Sequence, residues 1–492
     1  MLPYQTLFAL VRSAPTTLSQ QVAAAFIRLI QQGLLRANAP LPGTRTLAAL
    51  LQVHRQTVVV AYDELAAQGW IVQVPAKGAV VSPRLPNVTA QPLPADVAGA
   101  LDKPAGFAYA RSASPAQPVP LAPTALGLDT GGTPDPRLAP LAVLARKYRT
   151  VCQHPDSHHL FTYAAPGGSR ALRTQLARYL LDTRGVAATP DQILITRGSI
   201  MAMYLVAQLL LTPGDAVVVG TRSYPEADQL FEHYGAHLHR VTVDAQGLCV
   251  EEVEALCQQQ RVRLLYVTPH HHYPTAVTLP AERRVRLLQL AERYDFVVLE
   301  DDYDFDFHYD GSPILPLASA DRSGRVLYVG SLSKVLAPAF RVGYVVGPPD
   351  FVAELRHLRR LVDYQGDTVL EQGIAELFAE GELRAHLKRV RKIYQHRRDL
   401  FCHLLRTHVA EWFTFDQPTG GMAVWGRFAP SVDLARLDAR CRQQGLALGD
   451  GRRYQMATEV QNSHLRLGFA ALNVEELTRS VHVLQQAFEE LR

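Results

Sequence analysis

The chain has 492 residues, of which 48% are hydrophobic and 20% charged. This composition is typical of a globular protein, and the length exceeds that of one compact domain, so we expect two or three. Neither a signal-peptide core nor an apolar run long enough to span a bilayer is evident, and the five cysteines are scattered. These features argue against a membrane protein or a disulfide scaffold, and we expect a cytoplasmic protein with reduced thiols.

The positive charge is concentrated near the N-terminus. The whole chain carries 50 basic and 46 acidic side chains, a net charge of +4. Residues 1–82 contain six basic and two acidic side chains, which also gives +4, so the remainder is neutral overall. This distribution predicts that the N-terminal segment binds a polyanion. The charged residues are Arg12, Arg28, Arg36, Arg45, Arg55, Lys77, Asp63 and Glu64.

The first 82 residues have the pattern of a winged helix-turn-helix. Helical periodicity predicts helices over 18–34, 46–52 and 55–68, and WIVQVPAKGAVV predicts two short strands around a turn. A small bundle with no ligand would explain the apolar positions equally well. It would not explain Arg55, Gln56 and Thr57 at the start of the third helix, where a recognition helix presents side chains to the major groove.

The segment LPGTRTLAALLQVHRQTVVVAYDELAAQG, residues 41–69, resembles the DNA-binding domain of the GntR family. Two positions depart from the family pattern: Gln52 replaces the glycine of the turn, and His54 replaces the serine that caps the recognition helix. Both changes are expected to weaken the turn locally. The resemblance implies double-stranded operator DNA as a partner, contacted by Thr44, Arg45, Arg55 and Thr57, with Lys77 and Gly78 on the wing.

Residues 83–126 are rich in proline and alanine and lack periodicity, which indicates a semi-extended linker. As a flexible coil it would span ~35 Å, enough for the N-terminal domain to reach a partner subunit. Residues 127–492 then alternate short apolar strands with amphipathic helices, which predicts an α/β fold with a mostly parallel sheet covered on both faces. The predicted strands are QILIT, DAVVVG, RLLYVTP, DFVVLED, RVLYVG and RVGYVVG.

The stretch YVGSLSKVLAPAFRVGYVVGP, residues 328–348, places Lys334 between two predicted buried strands. A solvated loop lysine is the simplest alternative, but a lysine in a dry site becomes a competent imine-forming amine. Ser331 and Arg341 suit a phosphate group. The stretch resembles the Schiff-base segment of fold-type I aminotransferases, in the form found in MocR-type regulators of the GntR family. The resemblance implies pyridoxal 5'-phosphate bound to Lys334, within a large cofactor-binding part of about 165–375.

Other segments supply the remaining predicted cofactor contacts. VVLEDDYDFDF places Asp301 and Tyr303 after a strand, where a carboxylate would keep the pyridine nitrogen protonated. The same segment is acidic enough for a metal site, but strand alternation would separate its carboxylates. In ITRGSIMAMYLVAQLL, Gly198 precedes a predicted helix that starts at Ser199, and the free backbone N–H groups of a helix start suit a phosphate. By resemblance the cofactor site comprises Lys334, Asp301, Tyr303, Tyr224, Ser199, Ile200, His271, Ser331, Ser333 and Arg341, with Tyr163 reaching the partner's cofactor.

TPHHHYPTA, residues 268–276, resembles the family's TPxHQxPTG, with His272 in place of glutamine and Ala276 in place of glycine. Three histidines suggest zinc, but consecutive strand residues point to opposite faces, so at most two could converge, and we expect no metal. HLRLGFA carries Arg466, which by resemblance binds the carboxylate of the effector or substrate. A structural ion-pair role for this arginine is the alternative.

These patterns predict a homodimeric, head-to-tail transcription regulator with a winged helix-turn-helix in residues 1–82 and an aminotransferase-like effector domain in 127–492. An amino compound, or pyridoxal phosphate itself, would be the signal. The rival hypothesis is an active aminotransferase with an appended DNA-binding domain, and a DNA-binding protein with a vestigial second domain is a third. The first two share Lys334, Asp301 and Arg466 and differ in whether the bound amine turns over.

Overall fold

The computed structural model describes residues 3–74, 78–85, 105–109, 126–128, 131–454 and 463–491. The chain forms two compact units, Met1–Ala113 and Ser114–Arg492. Most of the predicted linker lies outside the described residues, as does Lys77 of the predicted wing. Within the described ranges, no helix is both long enough and apolar enough to cross a membrane.

The N-terminal unit is a helical bundle with a β-hairpin. Pro40 and Val80 form an isolated antiparallel bridge that holds the hairpin against the segment between α2 and α3. The elements are α1 (Tyr4–Leu7), α2 (Leu18–Gln31), α3 (Thr44–Leu51), α4 (Arg55–Ala67), β1 (Ile71–Val74) and β2 (Gly78–Val81). Strands β1 and β2 are antiparallel. The winged helix-turn-helix prediction is confirmed.

One apolar core holds this unit together. Phe26 of α2 is fully buried and packs edge-on against Tyr62 of α4, with ring centroids 5.5 Å apart. The Tyr62 hydroxyl donates to the Pro42 carbonyl at 2.8 Å, which fixes the chain just before α3. At the start of α2, Thr17 and Gln20 form a reciprocal capping box. The apolar periodicity of the sequence therefore corresponds to the buried face of each long helix.

The C-terminal unit is built on a seven-stranded sheet with the order β4-β12-β11-β10-β9-β5-β6. Strand β12 runs antiparallel to both of its neighbours, and the other pairs in the sheet are parallel. The predicted mostly parallel sheet is confirmed. Its strands are β4 (Ile193–Thr196), β5 (Ala216–Gly220), β6 (His237–Val241), β9 (Val262–Val267), β10 (Val297–Asp302), β11 (Val326–Ser331) and β12 (Gly343–Val346).

Both faces of this sheet are buried. Leu264 and Tyr266 of β9 belong to the apolar cluster on one face, and Leu265 and Val267 belong to the cluster on the other. Consecutive strand residues point to opposite faces, so continuous apolar strands require helices on both sides. The covering helices are α5 (Leu141–Gln153), α6 (Arg170–Arg184), α7 (Ser199–Leu210), α8 (Pro225–His233), α9 (Val250–Gln259), α10 (Ala281–Tyr294), α11 (Leu317–Ala320), α12 (Pro349–Val362) and α13 (Thr368–Ala379).

A smaller antiparallel sheet, β13-β14-β16, follows the long helix α14 (Glu382–His408). Its strands are β13 (Phe413–Phe415), β14 (Ala423–Phe428) and β16 (His464–Gly468), with α15 (Leu434–Gln443) and α16 (Val474–Glu490) against them. The remaining short strands are β3 (Leu126–Gly127), paired with β15 (Leu446–Ala447), and the hairpin of β7 (Val243–Asp244) and β8 (Gly247–Leu248). This second sheet positions Arg466 on β16.

Candidate functional site

A cavity of about 270 Å³ opens beyond the carboxyl ends of β9, β10 and β11. Loops that follow buried parallel strands meet at one edge of the sheet, which is where α/β proteins bind ligands. The lining residues come from segments far apart in sequence: Gly131, Thr133, Ser199, Ile200, Tyr224, Glu226, Tyr266, Thr268, Tyr273, Asp301, Tyr303, Ser331, Ser333, Lys334, Pro338, Arg341 and Arg453.

Lys334 lies three residues after the end of β11 and lines this cavity. Its Nζ atom donates to the Gly132 carbonyl at 3.3 Å. Burial lowers the pKa of Lys334 to about 8, although the negative charges of Asp304 and Asp301 oppose this shift. A substantial fraction of the amine is therefore neutral near physiological pH, the form that attacks a carbonyl carbon.

Asp301 lies near the end of β10 and is only 4% exposed. Its Oδ2 atom accepts a hydrogen bond from the Tyr266 hydroxyl at 2.9 Å, whereas its Oδ1 atom is buried and has no partner among the described residues. Burial raises the pKa of Asp301 to about 7, and the Tyr266 hydrogen bond opposes this rise. The unpartnered Oδ1 atom is thus suited to a ligand N–H group, whose positive charge would keep the carboxylate ionised.

The opposite part of the cavity carries groups suited to an anion. Ser199 and Ile200 begin helix α7, whose first backbone N–H groups are free of helical partners. Arg341 donates to the Arg197 carbonyl at 3.3 Å, and a Cβ atom on Gly198 would lie 2.5 Å from its Nη2 atom. Only glycine therefore allows the guanidinium to approach the start of the helix so closely.

Two serines on the lysine loop complete this region. The Ser331 hydroxyl accepts a hydrogen bond from the Ser333 N–H group at 3.1 Å. The Ser333 hydroxyl is buried and has no hydrogen-bond partner within the described part of the chain. Hydroxyl groups, helix N–H groups and a guanidinium together form a donor set that matches a phosphate.

Aromatic side chains form the walls of the cavity. The Tyr224 ring packs edge-on against Tyr273 at a centroid distance of 5.2 Å. The Tyr303 hydroxyl donates to the His271 carbonyl at 2.9 Å. Burial raises the pKa values of all three tyrosines, so their hydroxyl groups stay protonated and act as hydrogen-bond donors.

Arg466 is 2% exposed and is held beside two of the lining tyrosines. Its Nη1 atom donates to the Pro274 carbonyl at 2.8 Å, and its Nη2 atom donates to the Tyr303 hydroxyl oxygen at 3.4 Å. The guanidinium lies 5.1 Å from the Tyr273 ring centroid. Its Nε atom donates to the Gly131 carbonyl at 3.3 Å, and no carboxylate pairs with Arg466 among the ion pairs of the described residues. Arg466 itself is not one of the residues that line the cavity.

Two predicted cofactor residues lie away from the cavity lining. The His271 ring is buried and contacts Asp304, with Nδ1 2.8 Å from Oδ1, so its link to the cavity is the carbonyl that binds Tyr303. The Tyr163 side chain is 85% exposed and packs against Tyr364 at a centroid distance of 5.1 Å. Neither side chain faces the cavity within this single chain.

The two substituted positions after β9 lie in one turn. Nδ1 of His272 lies 2.8 Å from the Thr275 hydroxyl oxygen, and the two groups share a hydrogen bond. Burial lowers the pKa of His272 to about 3. Ala276 has a φ of 61°, in the left-handed region that favours glycine. The family glycine therefore has a conformational reason, and alanine adopts the same backbone in this turn with some strain.

Each of the acidic residues around Asp301 has contacts of its own. Glu300 accepts from the N–H groups of Leu317 and Ala318, and Asp302 accepts from Tyr328. Asp304 contacts His271, and the last carboxylate of the segment, Asp306, pairs with Arg184.

The predicted DNA-contacting residues cluster at two helix starts in the N-terminal unit. Thr44 and Arg45 begin α3, while Arg55, Gln56 and Thr57 begin α4; both arginines and Gln56 are exposed. His54 occupies the cap position of α4, where its Nδ1 atom accepts from the Gln56 N–H group at 3.4 Å. The substitution of the capping serine therefore retains an acceptor. Gly78 of the predicted wing is exposed at the start of β2.

Sequence reasoning missed several residues that line the cavity. Tyr266 and Thr268 lie on one face at the end of β9, and Tyr273 follows in the same loop. The signal was the i, i+2 spacing of polar groups at a strand end that faces the same edge as Asp301. Glu226 and Arg453 had no such signal, because they reach the cavity from a helix start and from a loop distant in sequence.

Comparison with known proteins accounts for both units. Residues 18–81 match the family described as bacterial regulatory proteins, gntR family, and residues 124–484 match aminotransferase class I and II. The uncharacterized HTH-type transcriptional regulator YdfD of Bacillus subtilis (strain 168) is 30% identical over 92% of this chain and 92% of its own length. The probable rhizopine catabolism regulatory protein MocR of Rhizobium meliloti is 29% identical over 98% of this chain and 96% of its own length.

Among solved structures, the C-terminal unit is similar to the kynurenine aminotransferase of Pyrococcus horikoshii, crystallised in complex with PMP. The similarity covers 75% of this chain and 91% of that chain, with a TM-score of 0.69 and 28% sequence identity.

Proposed function

Since this chain belongs to the MocR-type subfamily of GntR-family transcription regulators, in which a winged helix-turn-helix is joined to a fold-type I aminotransferase domain, we propose that it is a pyridoxal-phosphate-dependent regulator of transcription. Its N-terminal unit binds operator DNA, and its C-terminal unit senses an amino compound or pyridoxal phosphate itself. The observation that carries the proposal is the cavity that brings Lys334, Asp301 and an anion-binding region together.

The cavity fits pyridoxal phosphate at both ends. Two buried side-chain atoms lack a partner in the part of the chain that the structure describes: Oδ1 of Asp301, which suits the pyridine nitrogen, and the Ser333 hydroxyl, which suits a phosphate oxygen. When bound, pyridoxal phosphate supplies an aldehyde that condenses with primary amines and a ring that accepts electrons. Lys334 would hold it covalently through Nζ, because burial keeps part of this amine neutral.

Each remaining residue has a role that follows from its position. Asp301 would hold a proton on the ring nitrogen by charge, and Tyr303 would contact the ring oxygen, to which it can donate once its hydroxyl proton turns from the His271 carbonyl. Tyr224 would pack on the ring. The phosphate would be bound by the backbone N–H groups of Ser199 and Ile200 and by the side chains of Ser331, Ser333 and Arg341. Arg466 would bind the carboxylate of an effector through its planar pair of donors.

We also propose a head-to-tail homodimer. Tyr163 is 85% exposed, and Phe161 and Leu361 are 56% and 73% exposed. Large apolar side chains that lie open on a surface favour an interface with another chain. In this arrangement Tyr163 reaches the partner's cofactor, which explains why it faces away from the cavity of its own chain.

The proposal is tested by reducing the purified protein with borohydride and locating the fixed cofactor by peptide mass spectrometry. We expect a yellow protein and a label on Lys334, and a colourless Lys334→Ala variant without label. Loading of cofactor-stripped protein should accelerate as pH rises through about 8, because the Lys334 ammonium then loses its proton. An unchanged label in Lys334→Ala would contradict the assignment.

An active aminotransferase is the second candidate, supported by the similarity to a kynurenine aminotransferase and by the matching cavity. Turnover at ordinary enzyme rates, on the order of 1–10³ s⁻¹, with no effect of the amine on DNA affinity would favour it. A long-lived complex that changes DNA affinity would favour the regulator.

A further inference from the structure

A cluster of three histidines lies outside the cofactor cavity. His270 and His271 follow β9, and His308 follows a 3-10 helix formed by Phe305–Phe307. One ring nitrogen from each residue lies within 4.8 Å of one from each of the others. His270 and His271 are 3% and 1% exposed, and His308 is half-buried.

These rings are buried without the hydrogen bonds that imidazoles require. Both ring nitrogens of His270, Nε2 of His271 and Nδ1 of His308 are buried and have no partner among the described residues. A neutral imidazole carries one N–H donor and one lone pair, and burying either unsatisfied is unfavourable. Buried imidazole nitrogens without partners in a cluster of three rings, each with a nitrogen within 4.8 Å of the others, indicate a ligand shared between the rings.

The contact between His271 and Asp304 defines which nitrogen is available. Nδ1 of His271 lies 2.8 Å from Oδ1 of Asp304, and both groups are buried. This contact places the ring proton on Nδ1 and leaves the lone pair on Nε2. Metal-binding histidines characteristically have this arrangement, in which a carboxylate holds the outer N–H group and orients the ring.

We propose that His270, His271 and His308 bind a divalent transition-metal ion of the zinc type, oriented by Asp304. Three neutral imidazoles suit Zn²⁺, Co²⁺ or Ni²⁺ better than the oxygen-preferring Mg²⁺ or Ca²⁺. Tetrahedral Zn²⁺ at about 2.0–2.1 Å from each nitrogen needs the nitrogens roughly 3.4 Å apart, so nitrogens that now lie within 4.8 Å must move closer together when the ion binds.

One of the three histidines also lines open space outside the cluster. A second cavity, of about 380 Å³, is lined by His308 together with Phe305 and Asp306. Its wall also carries the cationic side chains of Arg384, Lys388 and Arg391. This positive wall favours an anionic fourth ligand, such as hydroxide or chloride, over a second cation. The site does not depend on the proposed function, because none of its ligand side chains lines the cofactor cavity.

Isothermal titration calorimetry with zinc tests the proposal. The sample is the untagged, full-length protein after its metal has been removed with a chelator. We expect one Zn²⁺ per chain and an affinity at least about tenfold lower in His308→Gln. His403→Gln removes an exposed histidine from helix α14 and should bind zinc like the parent. Absence of binding to the parent protein, or equal affinity in His308→Gln, would overturn the site.

A second measurement uses only the parent protein, so it tests the site even if His308→Gln fails to fold. Zinc-edge X-ray absorption of the parent protein should show nitrogen ligands with the outer-shell scattering of three imidazoles, and Co²⁺ should give the visible bands of tetrahedral coordination. Sulfur ligands, or fewer than three imidazoles, would place the ion elsewhere and reject the proposal.

Discussion

Gln52 has a φ of 53° at the end of α3, and its backbone carbonyl accepts a hydrogen bond from Arg12 at 3.1 Å. A side chain with a Cβ atom is strained in this left-handed region, whereas glycine is not. The sequence predicted a local weakness at this turn because the GntR pattern has glycine at this position. The backbone angle supplies the physical reason, and the same reason applies to Ala276.

Gln52→Gly should therefore stabilise the N-terminal unit by about 0.5–1 kcal/mol, the relief of strain less the entropy that glycine loses on folding. Calorimetric unfolding of the full-length protein measures the change as a higher midpoint for that unit. Gln32→Gly is a matched control, because Gln32 ends α2 with a φ of −77°, where glycine should destabilise. A lower unfolding midpoint in Gln52→Gly would contradict a strained, left-handed backbone at this position.

Among the elements, the strands were predictable and some of their directions were not. Six predicted strands all lie in the seven-stranded sheet, but β12 is antiparallel to its neighbours. A strand buried on both faces has the same continuous apolar pattern in either direction. The short connection from Ser331 to Gly343, which lacks a crossover helix, was the available signal. Tyr266 lies in the predicted buried strand RLLYVTP, a pattern typical of core residues. The contact of its hydroxyl with Asp301 is visible only in the folded structure.

Helix α4, the predicted recognition helix, has Arg55 at its exposed N-terminal end, and no described ion pair engages this side chain. Arg55→Ala should weaken site-specific binding by about 1–3 kcal/mol for an operator selected with the parent protein, with relaxed preference at the base pair that Arg55 reads. Fluorescence anisotropy at fixed salt measures this loss. Arg36→Ala removes an equal charge from outside the helices and should weaken all DNA sequences alike. Equal losses in the two variants would reject α4 as the base-reading helix.

The function of the whole molecule requires that events at the C-terminal cavity change the affinity of the N-terminal unit for DNA. A ligand shifts an equilibrium between two conformations only by its difference in affinity for them. A regulator therefore gains from a bound effector that persists, whereas an enzyme gains from one that reacts and leaves. Arg466 separates these roles, because its position suits an effector carboxylate and is distinct from the lysine and phosphate contacts.

We expect an amino acid effector to change operator affinity by roughly 5–150-fold, which corresponds to about 1–3 kcal/mol of coupling. Arg466→Ala should lose this response to carboxylate-bearing effectors and retain yellow colour and basal DNA binding. Because Arg466 is buried, Arg466→Lys provides a milder variant that keeps the charge but lacks the planar pair of donors. Arg427→Ala, an exposed arginine on the adjacent strand β14, should respond like the parent. Anisotropy titrations of operator DNA with and without each amino acid give the coupling directly. A full response in both Arg466 variants would show that the carboxylate is bound elsewhere, and the sensing site would then have to be sought away from β16.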